Sequence, residues 1–269
     1  QNKELVQEVI NFLIGFARKN KVFVLKISPE VILNEKTSWL PELLNSKGFR
    51  ETKRYELHKC TIKIGLKNDL DKIFANFKKN TRWEIRNGEK SGVKVKSGEN
   101  ESDLKDFYSL YSEAMGRDRL AYDYFKNLWE NFKKDILVLV ASHQGQKLSA
   151  AFIPFFNKKC WYLFGGSTKK QSTRNSSQVL QWEAIVRAKK RGAEVYDLQG
   201  ISCAEPKSSH DKGVLQFKEG FSGERKELIG EFDYVFSSVL FKFLFKILYP
   251  IFCKLNQART IIKGIIGRV

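Results

Sequence analysis

Four basic residues recur at a fixed step in this chain: Lys78, Arg82, Arg86 and Lys90. They lie in LDKIFANFKKNTRWEIRNGEK, Leu70 to Lys90, whose apolar spacing predicts one helix. Four residues turn a helix by about 400°, so these groups drift only about 40° per step and share a face. Such a ridge suits a row of phosphates, and it also suits a solvated helix face. The whole chain leans the same way. With 48 Lys and Arg against 30 Asp and Glu, its formal net charge is +18. RNA, DNA or an anionic membrane face is the implied partner, the alternative being a merely solvated basic surface. The cysteines Cys60, Cys160, Cys203 and Cys253 are far apart in sequence, and His58, His143 and His210 have no ligand spacing. No metal site, disulfide framework or CxxC chemistry is expected, and reduced cytosolic thiols are the default.

The elements around this ridge are those of a globular chain: 42% of the 269 residues are hydrophobic and 29% charged, enough to bury a core. The most ordered pattern runs from Lys147 to Ile201. LSAAFIPFF and CWYLFG read as strands about a turn at Asn157-Lys158-Lys159. A polar loop, Ser167 to Ser177, leads into a helix carrying Val179, Leu180, Ala184, Ile185 and Ala188. Gly192 ends that helix, and AEVYDL is the next strand. Strand, turn, strand, helix, strand is the middle of a Gcn5-related acyltransferase domain, an analogy of fold that fixes no substrate. Acyl-CoA enzymes of that fold cradle the pyrophosphate on a Gly-rich turn before the helix. Here the stretch is KKQSTRNSS, without glycine, which speaks against an acyl-CoA donor.

Upstream, Leu5 to Ala17 has the spacing of an amphipathic helix, KVFVLKI and YELHKCTIKIGL read as strands, and Trp39 to Leu44 as a short helix opened by Ser38. The chain starts at Gln1 and enters a helix almost at once, so residues are expected to precede it. Gly88 is placed to end the basic helix early, GVKVKSG follows as a strand, and Ser102 to Met115 is a helix with Asp103 as a candidate cap. GRDRLAY is a polar loop before a helix from Tyr124 to Phe132, and ILVLVAS pairs with KLSAAFIPFF. After Ile201 a long surface loop is expected, LQFKEGF returns to the core, and LIGEFDYVF is a strand.

The stretches LKISPEV, FKKNTRWEIRNGEKSGVKV, WYLFGGSTKKQSTRNSSQVLQWEAI, VYDLQGI and LQFKEGFSGERKELIGEFD, in this order, resemble the FemABX family of peptidoglycan bridge-forming aminoacyl transferases. The resemblance spans roughly Lys26 to Asp233. It implies an α/β fold with mixed sheets: tandem Gcn5-related N-acyltransferase-like domains, the first lacking its opening strands. Residues 1–60 would be part of the first domain, 61–225 the second, and 226–269 a return to the first followed by a basic amphipathic helix. It also implies an aminoacyl-tRNA donor in place of a cofactor, and a lipid-linked or nucleotide-linked peptidoglycan precursor as acceptor. A cytoplasmic monomer is expected.

The resemblance also assigns roles. It puts Lys218 near the transferred group, with Phe217 beside it; by its residues alone Lys218 reads as a surface lysine after a strand. Arg117 matches a position that contacts the acceptor, or it forms a loop salt bridge with Asp118. Tyr122 matches more loosely. An aromatic hydroxyl belongs near the end of WYLFGGS, where this chain has Tyr162 and then Phe164. Asp197 lies near a strand end where sites of this fold gather, or caps the turn at Gly200. Lys78, Arg82, Arg86 and Lys90 become the ridge for a tRNA acceptor stem, and Trp83 is read either as stacking on a base or, the preferred reading, as part of the core. The C-terminal stretch carries Lys242, Lys246 and Lys254 among Phe241, Phe243, Leu244, Phe245, Ile247 and Leu248. It is too short in uncharged run to span a bilayer, and reads either as an interfacial helix on anionic lipid at the inner membrane face or as a helix packed on the first domain. Two alternatives remain: an acyl-CoA N-acyltransferase, and a non-catalytic RNA- or membrane-binding protein of the same fold.

Overall fold

A computed structural model describes residues 2–52, 58–116, 120–168, 175–206 and 208–236. Arg117 and the C-terminal basic stretch lie outside the described residues, as does most of the glycine-free loop. The chain forms two compact units, Gln1–Leu57 with Leu228–Val269, and His58–Glu227.

The first unit holds α1 (Lys3–Lys19), β1 (Val24–Ile27), α2 (Trp39–Ser46) and β2 (Arg50–Glu51). The Asn2 side chain caps α1 by accepting from the Glu4 and Leu5 amides. The second unit begins with β3 (Cys60–Gly65), α3 (Leu70–Asn76), α4 (Lys79–Lys90), β4 (Lys94–Ser97), α5 (Glu101–Met115) and α6 (Tyr122–Phe132). It continues with β5 (Ile136–His143), β6 (Gln146–Phe156), β7 (Lys159–Trp161), β8 (Phe164–Ser167) and α7 (Ser176–Lys190). It ends with β9 (Val195–Ile201), α8 (Ser209–Glu219) and β10 (Glu224–Glu227). The chain then returns to the first unit, where β11 (Phe232–Val235) lies between β1 and β2 in a three-stranded sheet. Ile10, Leu40, Leu44, Phe49, Ile229 and Phe232 form the core of this unit.

The large sheet runs β10-β3-β9-β7-β6-β5-β4, with β8 on β6. Only β7 and β9 pair in parallel within it. Successive side chains on a strand point to opposite faces, and β5 shows it. Leu137, Leu139 and Ala141 join the cluster under α7, with Ile85 of α4. Ile136, Val138 and Val140 join the cluster under α5 and α6, with Phe107 and Phe125. Helices cover both faces, which is why the central strands read as unbroken apolar runs.

Several expectations need correction. The predicted helix from Leu70 to Lys90 is two: Phe77 and Lys78 are extended, at ψ 151° and 146°, so Lys78 precedes α4. Gly88 does not end α4; it is buried within the helix. Asn100 rather than Asp103 caps α5, and Asp103 completes a capping box by bonding back. The predicted loop after Ile201 contains α8, capped by Ser208. CWYLFG is broken at Tyr162-Leu163 into β7 and β8.

The cysteines are a further correction. Cys60 and Cys203 are joined by a disulfide, their Cα atoms 5.2 Å apart. Their separation of 143 residues hid the pair. Antiparallel pairing of β3 with β9 sets Cys60 opposite Ile201, two residues before Cys203. Closing so long a loop constrains the unfolded chain strongly, so reduction is expected to lower stability by about 2–4 kcal/mol. Denaturation followed with and without a thiol reductant, together with recovery of the linked peptides from a non-reducing digest, checks this. Cys160 is a free thiol, buried.

Candidate active site

Two strands part at Tyr162. β7 and β8 lie end to end on one edge of β6, through Cys160↔Phe155 and Phe164↔Phe152. β7 also follows β9 as far as Trp161↔Asp197, where the Tyr162 amide donates to the Asp197 carbonyl at 2.9 Å. β8 then continues on β6 alone. A cavity of about 400 Å³ lies against β8, bounded by α7 and α8. Ser149, Tyr162, Gly165, Gly166, Ser167, Ser177, His210, Gly213 and Phe217 line it.

Glycine is required along β8. A Cβ on Gly166 would stand 2.4 Å from the Leu110 carbonyl oxygen, so α5 packs backbone to backbone against the strand. A Cβ on Gly165 would stand 2.1 Å from the Tyr162 hydroxyl. Burial pushes that hydroxyl up to about 12, so it is a neutral donor at physiological pH. The Ser149 hydroxyl, on the cavity wall, is buried without a hydrogen-bond partner among the described residues.

Across α8 is a second cavity, of about 580 Å³, lined by Lys78, Lys79, Asn80, Thr81, Glu84, Gln178, Gly213, Gln216, Phe217 and Gly220. Gly213 and Phe217 line both cavities, so one face of α8 is the wall between them. The start of α4, which lines this second cavity, is tied to the end of α8 by the Lys78 amide donating to the Gly220 carbonyl, 2.9 Å.

Lys218 is buried at 8% exposure, and its ammonium donates to the Gly200 carbonyl at 2.7 Å. It lines neither cavity. Burial pulls its pKa down to about 8, against the opposing attraction of the Asp197 carboxylate. Asp197 is itself buried and held in place. It accepts from the Thr61 hydroxyl and the Gln199 amide and pairs with Lys63 at 3.3 Å. Gln199 has φ +61°, a left-handed turn inside a strand, beside the irregular register between Thr61 and Lys63. This bulge presents the Gly200 carbonyl to Lys218.

The structure thus brings Phe217 and Tyr162 to the first cavity, and Lys218 and Asp197 to the adjoining strand bulge. Phe164 packs instead at right angles to Phe125 and Tyr111, 5.0 and 5.9 Å between centroids, so Tyr162 carries the hydroxyl. Tyr122 starts α6, meets Tyr108 edge to face and donates its hydroxyl to Glu101, away from both cavities. Lys78 rims the second cavity and pairs with Glu219 at 3.3 Å. Arg82 turns back to cap α3, donating to the Ala75 and Phe77 carbonyls. Arg86 lies over the Phe74 ring at 5.2 Å. Lys90 ends α4, exposed. Trp83, expected in the core, is 62% exposed. Ser149 and Ser177 carry no signal of their own in the sequence, and His210 enters there only as a histidine without ligand spacing. A paired glycine in FGGS was the signal for the close approach along β8.

No helix among the described residues is long and apolar enough to cross a membrane. Nor do those residues gather His, Cys, Asp or Glu closely enough to hold a metal ion.

The sequence profile of the FemAB family matches residues 1–147 and 142–249. The chain belongs to the FemAB family. Its FemAB relatives include a protein of Staphylococcus epidermidis named lipid II:glycine glycyltransferase, 23% identical over 318 residues, covering 91% of this chain and 76% of that one. The crystal structure of FemX matches with a TM-score of 0.78 at 20% identity, over 90% of this chain and 79% of that chain. A tandem Gcn5-related N-acetyltransferase-type protein from the clavulanic acid biosynthesis pathway matches at a TM-score of 0.51 and 8% identity, over 87% and 70%. The fold is accordingly mixed α/β, of the tandem Gcn5-related acyltransferase-like kind.

Proposed function

We propose that this FemAB protein is an aminoacyltransferase that builds the interpeptide bridge of peptidoglycan, moving an amino acid from aminoacyl-tRNA to an amine of a lipid-linked or nucleotide-linked precursor. The observation that carries the reading is the pair of cavities sharing the Phe217 wall: one rimmed by the lysines that open α4, the other walled by hydroxyls and glycine backbone. The family, and a relative named for glycine transfer onto lipid II, support the acceptor class.

The chemistry asks little beyond placement. The acceptor amine attacks the ester carbonyl, a C–N bond forms, and the C–O bond to the terminal ribose breaks. The amine's proton ends on the departing ribose oxygen. The ester is already activated, so orientation and stabilisation of the tetrahedral oxyanion dominate. In this reading the Tyr162 hydroxyl and the Ser149 hydroxyl, which has no partner among the described residues, offer hydrogen bonds to the aminoacyl group, and Phe217 orders the RNA end against α8. The Lys218 ammonium acts from beneath, fixing α8 on the β9 bulge and lending positive charge. Arg117 contacts the acceptor in the same reading. No cofactor is required, because the donor carries its own activated bond.

The test is transfer of label from a pool of radiolabelled aminoacyl-tRNAs to lipid-linked or nucleotide-linked precursor. RNase-sensitive transfer supports the reading and names the amino acid. Transfer from an acyl-CoA instead would replace it.

A further inference from the structure

On α4 the exposed stripe differs from the four-residue ladder in the sequence. At 100° per residue, Lys79, Trp83, Arg86 and Lys90 fall within about 60° of arc. All four are exposed, and Thr81, Ile85 and Gly88 fill the opposite, buried face. None of the four forms an ion pair with a carboxylate among the described residues; Glu89 adjoins the stripe beside Arg86. A tryptophan 62% exposed in the middle of three cations is not core packing. The stripe runs back along α4 to Lys79, which lines the second cavity.

We infer that Trp83 is a stacking platform for an unpaired base, so that the outer face of α4 receives a single-stranded RNA end on its way to the cavity wall at Phe217. This rests on the donor reading above and sharpens it. Cations alone would track duplex phosphates, whereas an exposed indole offers its face only to a base free of its stack. An anionic lipid surface would also attract the lysines. Yet α4 exposes one large apolar side chain, too little to insert, and the interfacial pattern calls for a full apolar face.

The experiment compares binding of the full chain to a hairpin RNA ending in an unpaired 3′ CCA and to the same hairpin made blunt, across a salt series. Trp83→Ala is expected to weaken binding of the tailed hairpin by about tenfold, leaving the blunt hairpin, the salt slope and the melting temperature unchanged. Trp83→Phe should retain most of the affinity. Joint replacement of Lys79, Arg86 and Lys90 by glutamine should weaken both hairpins and flatten the salt slope. Wild-type affinity in Trp83→Ala, or equal loss on both hairpins, would overturn the inference. So would a change confined to binding of phosphatidylglycerol vesicles, which would make the surface a lipid contact. RNA-dependent transfer that ignores Trp83 would sink the stacking role alone. A wild-type chain that binds neither hairpin would take the donor reading down with it.

Discussion

Lys218→Met is expected to lower transfer by about 100-fold while leaving the protein at least as stable. The buried ammonium sits at about 8, below the ordinary lysine value of 10.5, chiefly through burial. The unfolded chain therefore binds a proton across that window when the folded one does not. Stability rises with pH from about 8 to 10.5, and below that window the buried charge costs stability. Methionine keeps the stem packing and removes that cost, at the smaller loss of the bond to the Gly200 carbonyl. What disappears is the positive charge held beneath the cavity wall at Phe217, which in the proposed mechanism favours the developing oxyanion from behind α8, an effect set at about the 10²-fold lower end of removing one electrostatic donor. Wild-type transfer should also decline above about pH 8 as Lys218 loses its proton, and the variant should lack that limb. Melting temperature and kcat/KM measured from about pH 6 to 10 separate the cases. A variant that loses activity and stability together would make Lys218 a fastening of α8 and nothing more, and an undiminished rate would remove it from the mechanism.

Gly166→Ala carries the second large effect. Its Cβ would meet the Leu110 carbonyl oxygen at 2.4 Å, the Leu110 carbonyl carbon at 2.8 Å and the Tyr111 Cα at 2.8 Å. All are backbone atoms of a helix, so no rotamer change relieves the clash. β8 is held from the other side by Ala150↔Gly166 pairing with β6. Either α5 lifts or β8 bends, and the cavity they shape changes with them. A loss of about 3 kcal/mol is expected by denaturant titration, together with loss of transfer. Gly213 is the control: it lines the same cavity, but nothing stands within 4 Å of its Cβ, so alanine there should leave the fold intact. A Gly166→Ala protein of wild-type stability would mean that α5 is not seated on β8 as described.

The strands and helices between Lys147 and Ile201 were legible because each is long and strongly patterned. The buried runs ILVLVAS and LSAAFIPFF are central strands covered on both faces. What escaped was set by partners distant in sequence. The break at Tyr162 exists because β7 has β9 beside it and β8 does not. The Cys60–Cys203 bridge follows from the pairing of β3 with β9. The ladder of Lys78, Arg82, Arg86 and Lys90 assumed one helix, and the extended residues Phe77 and Lys78 took Lys78 out of it. Residue type favours the core over base stacking for Trp83, although its helical position relative to Ile85 puts it on the other face. Lys218 was drawn to the site by family resemblance, but its burial under α8 and the depressed pKa that follows could not be read from LQFKEGF.

The most direct measurement is the mass of the peptidoglycan precursor after incubation with the protein and charged tRNA. The proposed transfer adds one or more aminoacyl residues to the precursor's amine, stable to mild alkali as an amide is and a tRNA ester is not, and abolished by RNase treatment of the donor. An unchanged precursor mass with intact charged tRNA, or a gain that survives RNase, would contradict it.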